Sequence, residues 1–243
     1  MSLLKTRLHS AQAGVCWLLA FVPLAASLIP LMAQSVSPQG PYRMEIVLER
    51  RDPGTWKTVD PGLVLEQNDR VRFRFHTNFD GYLYVMNQST TGAYAMLFPS
   101  EETGRENRIH AGKDYLVPAT KTLFRIAGPP GHEIVYWMVT PAELRTEEPK
   151  YLPLPPPPAD KRMPANMTPR CDDTMFRARG ECIDTSAGPK NLSSRELLPD
   201  NLAQVPSESS SDLMFMRQQH LAVISSPVPL KGPVIYEFRL AHK

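Results

Sequence analysis

Arg70-Val71-Arg72-Phe73-Arg74-Phe75-His76-Thr77-Asn78-Phe79-Asp80-Gly81-Tyr82-Leu83-Tyr84-Val85-Met86 contains two strand patterns joined by a turn. Val71, Phe73 and Phe75 alternate with Arg70, Arg72, Arg74 and His76. Successive side chains of a strand point to opposite faces, so this run predicts one buried face and one face in water. Asn78-Phe79-Asp80-Gly81 supplies the turn, because glycine accepts backbone angles that other residues resist. From Tyr82 to Met86 every position is apolar, the pattern of a central strand covered on both sides.

Outward from this hairpin the period stays near two. Upstream, Met44, Ile46 and Leu48 alternate with Arg43, Glu45 and Glu49. Downstream come a polar loop from Gln88 to Gly92, then a strand from Ala93 to Phe98 stopped by Pro99. A charged loop follows from Ser100 to Asn107, with short strands predicted at Tyr115 to Val117 and at Leu123 to Ile126. Gly128-Pro129-Pro130-Gly131 is a turn, and Glu133 to Val139 is another doubly apolar strand. Short strands about ten residues apart, punctuated by Gly, Pro, Asn and Asp, predict an all-β fold: an immunoglobulin-like or related antiparallel β-sandwich.

The pattern changes after Pro141. Leu152 to Pro158 holds five prolines in seven residues, which is extended chain without the donors a sheet needs. Ser193-Ser194-Arg195-Glu196 resembles a capping box, but Pro199 keeps any such helix short. Residues 142–219 therefore read as a long irregular insertion. A strand returns at Leu221 to Ile224, and Val234, Tyr236, Phe238 and Leu240 alternate with Glu237 and Arg239 at the C-terminus. That last strand is expected to close the sheet begun near Tyr42, so the insertion interrupts a single domain over residues 34–243.

The N-terminus has the layout of an export signal over residues 1–33. Lys5 and Arg7 precede an apolar stretch running to Leu28, and Ala33 before Gln34 is the expected cleavage point. The rival reading is an inner-membrane anchor through residues 11–33, which is long enough to span a bilayer. Pro23 and Pro30 and the lack of a basic cluster behind the stretch weigh against it. Cleavage would also remove Cys16, leaving Cys171 and Cys182 as an even pair in an oxidising compartment. A disulfide is expected between them; the alternative, a metal, finds two thiols with no histidine between them, half a zinc site.

With 27 Lys and Arg against 25 Asp and Glu, interspersed along the chain, there is no basic tract to track a phosphate backbone, and nucleic acid is not expected as a partner. No constellation for catalysis stands out, and no cofactor is expected. His76, His110, His132 and His220 lie in separate segments and read as surface or loop residues. There is no nucleophile elbow and no glycine-rich phosphate loop. Asp172-Asp173 beside Cys171 reads as a solvated loop in preference to a calcium site, and the sequons at Asn87, Asn166 and Asn191 read as accidental. The row Arg70, Arg72, Arg74 and His76 is the candidate interaction face, for an acidic partner, an anionic glycan or lipid headgroups. Paired with Glu45 or Glu49 across the sheet, it becomes a merely solvated face.

Gly81-Tyr82-Leu83-Tyr84-Val85 with Asn87, then Gly92, Leu97-Phe98-Pro99, Asn107, Ile109, Ala111-Gly112, Val117-Pro118, Pro130-Gly131 and Glu133, resemble the bacterial domain of unknown function 4384. The resemblance implies a bacterial, often exported protein, with some members carrying the domain beside kinase-like or caspase-like partners. It implies no established activity. Two functions are therefore expected to compete. One is a non-enzymatic envelope module that binds another envelope protein and does not span the membrane once mature. The other is a sandwich holding a glycan, lipid or small molecule in a cleft lined by Tyr82, Tyr84, Tyr94 and Tyr115. Outward, unpaired aromatics favour the second; an exposed apolar edge favours the first.

Overall fold

Residues 70–77 form a strand whose Val71, Phe73 and Phe75 are completely buried, while the arginines between them reach the surface. The computed structural model describes residues 41–144, 168–172, 174, 178–192 and 213–243, all within the unit Ser35–Lys243. The export segment with Ala33 and Gln34, Cys16, the proline run, Asn166, Asp173 and the Ser193 box lie outside the described residues.

Among the described residues, thirteen strands form two antiparallel sheets. The first runs β11 (Met214–Gln218), β12 (Leu221–Ser226), β1 (Tyr42–Asp52), β3 (Arg70–Thr77), β7 (Asp114–Val117). There β2 (Thr55–Val59) also pairs with β1, and β8 (Phe124–Arg125) with β3. The second runs β10 (Gly188–Lys190), β13 (Val234–His242), β9 (Gly131–Thr140), β4 (Gly81–Gln88), β5 (Tyr94–Phe98), with β6 (Arg108–Ile109) on β4. The result is the expected antiparallel β-sandwich.

The inner faces meet around Trp137 of β9. Its ring stands edge-on to Phe73 at 5.3 Å and stacks on Phe75 at 5.3 Å, while Phe238 of β13 meets Phe73 at 5.4 Å. Ile46 and Leu48 of β1, Leu83 and Val85 of β4 and Tyr236 of β13 complete this core. Gly81 opens β4 where a side chain has no room: a Cβ there would lie 2.7 Å from the Thr140 carbonyl oxygen of β9.

Two expectations change. β13 does not close the sheet of Tyr42; it lies in the opposite sheet between β9 and β10, and β12 is the strand that pairs with β1. Alternation says which way side chains point but not which layer a strand joins. Within residues 142–219, read as irregular, β10 pairs with β13 and β11 pairs with β12. Both strands are short; β10 finds its partner far along the chain in β13, whereas β11 makes a tight hairpin with β12 across Gln219 and His220.

Candidate functional site

The arginine row stands on the outer face of the first sheet, where the register places Glu49 opposite Arg72, Val47 opposite Arg74 and Glu45 opposite His76. Glu49 accepts from Arg72 Nε at 2.6 Å and lies 3.8 Å from Arg74, while His76 Nδ1 meets Asp114 at 2.9 Å. Trp56 of β2 lies under the Arg72 guanidinium at 4.2 Å, with that of Arg51 at 5.4 Å. Arg70 differs, since its cross-strand neighbour is another cation, Arg125. The row is thus largely charge-matched. Trp56 and Arg51, missed in the sequence, are placed there by the β1–β2 hairpin.

Three of the four tyrosines gather on one patch, Tyr82 and Tyr94 packing against the cluster around Tyr84, and Tyr115 stands apart. Tyr82 and Tyr84 are on β4 and Tyr94 on β5, in the second sheet, whereas Tyr115 is on β7 in the first. Tyr84 is buried with Met86, Ile134, Tyr136, Met138 and Ile235 on the outer face of the second sheet, and Leu144 and Leu192 pack there. The Tyr84 hydroxyl accepts from the Leu144 N–H at 3.0 Å, and the Tyr136 hydroxyl donates to Gln88 Oε1 at 2.8 Å. Burial pushes the Tyr136 phenol well above the usual tyrosine range. Tyr115 accepts from the His110 N–H at 2.7 Å.

At the end of the second sheet the segment 178–192 folds back, and Cys171 and Cys182 are joined with 4.9 Å between their Cα atoms. Val64 N–H donates to the Cys182 carbonyl and Asp184 N–H to that of Gly62, which ties this lobe to residues 62–64. Beneath it, His132 Nε2 lies 3.3 Å from Asp184 Oδ2 and 3.4 Å from Ser186 Oγ, which itself donates to Asp184 Oδ1 at 2.6 Å. Ser, His and Asp thus meet, but serine and aspartate address the same ring nitrogen and the histidine is buried. In a nucleophile relay the serine donates to the histidine, whereas the Ser186 hydroxyl donates to Asp184. The trio therefore reads as a staple. Burial pushes the Asp184 carboxyl up; the Ser186 hydroxyl, the N–H groups of Arg170 and Ser186, and His132 outweigh it and hold the carboxyl below its ordinary range. His132 is a buried strand residue, not the surface or loop histidine expected. Asp172, read as solvated loop, accepts from the Thr185 hydroxyl at 2.7 Å. Asn87 is engaged within the fold, donating to Glu133 at 2.7 Å.

An open cleft of about 480 Å³ lies between β10 and β11, lined by Lys190, Asn191 and Thr185 on one side and Phe215, Met216 and Arg217 on the other. Its lining contains no carboxylate. Arg217 spans the gap, donating to the Ala187 carbonyl at 2.7 Å and lying 3.5 Å from Asp60. Gly188, with φ of 85°, leaves room for it, as a Cβ there would stand 3.1 Å from the guanidinium. Burial, Arg239 and Arg217 hold the Lys190 ammonium below its usual range. Beside the cleft Met214 and Met216 are 51% and 42% exposed, on a strand with a described neighbour on one side only.

No curated protein and no solved structure matches the chain. Residues 64–143, the stretch that carries β3 to β9 and the Gly81 to Val85 signature, match the model of a domain of unknown function, DUF4384, the family whose signature the sequence resembles.

Proposed function

We infer that the protein is an exported, non-enzymatic envelope module that binds another protein. The observation that carries this reading is the apolar edge at Met214 and Met216, exposed beside a cleft instead of covered by described chain. Exposed apolar surface rimmed by polar groups marks contact sites on soluble proteins. The tyrosines support it by their packing: Tyr84 is buried, Tyr82 and Tyr94 lie half-buried against its cluster, and Tyr115 is in the other sheet. Export rests on the basic and apolar N-terminal sequence and on the paired cysteines, which persist in oxidising compartments. Among the described residues no helix is long and apolar enough to cross a membrane.

The test is capture of partners by the mature chain from Gln34 onward, disulfide intact, from native envelope extract, followed by reconstitution with the purified partner. Recovery of one envelope protein in stoichiometric amount, rebinding after purification, is the expected result. Failure of every captured protein to rebind sinks the reading. Mass spectrometry of the exported protein should show Gln34 as its first residue; retention of residues 11–33 would establish the anchor instead.

A further inference from the structure

Resting on the reading of the chain as a binding module, we propose that β11 is a receiving edge. An extended segment of the partner protein pairs with it as an added strand, and an acidic side chain of that segment enters the cleft toward Lys190.

The argument starts from the backbone. A terminal strand presents a row of unpaired N–H and C=O groups, and such edges are ordinarily guarded by proline, lysine or charge. The facing edge follows that practice, since β10 is Gly188-Pro189-Lys190. The sequence Met214-Phe215-Met216 has no such guard until Arg217. Met214 and Met216 project to one face and Phe215 and Arg217 to the other, because Phe215 packs against the core and the period is two. Methionine is flexible and polarisable, suited to a surface that receives different side chains.

Charge then selects the occupant. The cleft holds Lys190 and Arg217 with the hydrogen-bonding Thr185 and Asn191, and no acidic residue lines it. Arg217 is already engaged by Asp60 and the Ala187 carbonyl, and Glu237, the ladder partner of Lys190, is taken by Arg239 at 2.7 Å, so Lys190 is the cation left to meet a further carboxylate. A carboxylate at Lys190 would favour the ammonium that its surroundings disfavour. Strand addition supplies affinity through the main chain, and side-chain pockets supply selectivity. Five residues of β11 offer a track of about 17 Å, enough for a short linear segment.

The probe is a labelled heptapeptide of alternating valine and threonine with a central glutamate, compared with its glutamine and lysine counterparts by fluorescence anisotropy. The glutamate peptide should bind about tenfold tighter than the glutamine one, and the lysine peptide weaker still. At saturation, amides of β11 should exchange more slowly with solvent. Met214→Lys with Met216→Lys, two exposed positions, should cut binding about tenfold or more without altering the near-ultraviolet circular dichroism. Lys190→Gln should erase the preference for glutamate while leaving the main-chain mode intact. Equal affinity for all three peptides, or binding indifferent to the methionine changes, overturns the proposal. So does protection of β11 already present in the free monomer, which would assign the edge to this chain's own residues. Protection that grows with protein concentration would assign it to a second copy and likewise overturns the proposal. A captured partner that rebinds the methionine double variant as well as the wild type keeps the module and discards the edge.

Discussion

Asp184 and Glu237 are buried carboxyls whose titrations run in opposite directions. Asp184 sits below its ordinary range when folded, so its stabilising effect is complete above the free-chain value of about 3.9 and is lost as pH falls through the folded value. Asp184→Asn should therefore flatten the acid limb of a urea-midpoint against pH curve between about pH 5 and 2; an unchanged limb would remove Asp184 from the account. Glu237 is raised by burial, against the pull of Arg239 at 2.7 Å, so its contribution grows more favourable as pH falls. Trp137 is the largest fully buried side chain, and Trp137→Ala should cost about 3–5 kcal/mol by chemical denaturation. Its burial was legible in the doubly apolar run 133–139. The meeting of His132 with Asp184 was not, because the two residues are far apart in sequence and only the folding-back of the cysteine lobe brings them together.

Among the elements, the cysteine lobe is held by one covalent link, by backbone bonds to residues 62–64 and by the staple of His132, Asp184 and Ser186. Replacing Cys171 and Cys182 with serine should lower stability by about 3 kcal/mol, the chain-entropy value for a ring of this size, with no further loss on adding reductant. A double variant as stable as the wild type would show that packing alone holds the lobe. The elements readable from sequence were those with a clean period: β1 and β3 by alternation, β4 and β9 by their apolar runs. β2 escaped because its residues are mostly exposed, with burial only at its end. β10 and β11 escaped because Pro189 argues locally against a strand and Met214-Phe215-Met216 shows no alternation, and their ladders are made with β13 and β12. The candidate cleft was invisible for the same reason, since Lys190 and Arg217 come from strands in different sheets.

For the molecule as a whole, the order of strands matters more than their number. β13 is the last strand in the chain and lies inside its sheet, between β9 and β10. Ending the chain at Gly232 should therefore abolish cooperative unfolding, as judged by denaturation followed at Trp137; a sharp transition in the truncated chain would refute this. Tyr42 starts β1 beside Phe79, ring centroids 4.8 Å apart, at the end of the sandwich where Tyr82 pairs with Thr140. His242 finishes β13 opposite Gly131, at the other end of β9. Tyr42 and His242 thus lie at opposite poles and in different layers. Hydrogen bonds in antiparallel ladders run across the strands, so tension applied between those poles acts as shear on whole ladders. They must fail together instead of unzipping one by one, so extension between Tyr42 and His242 should meet a higher force than peeling a single edge strand.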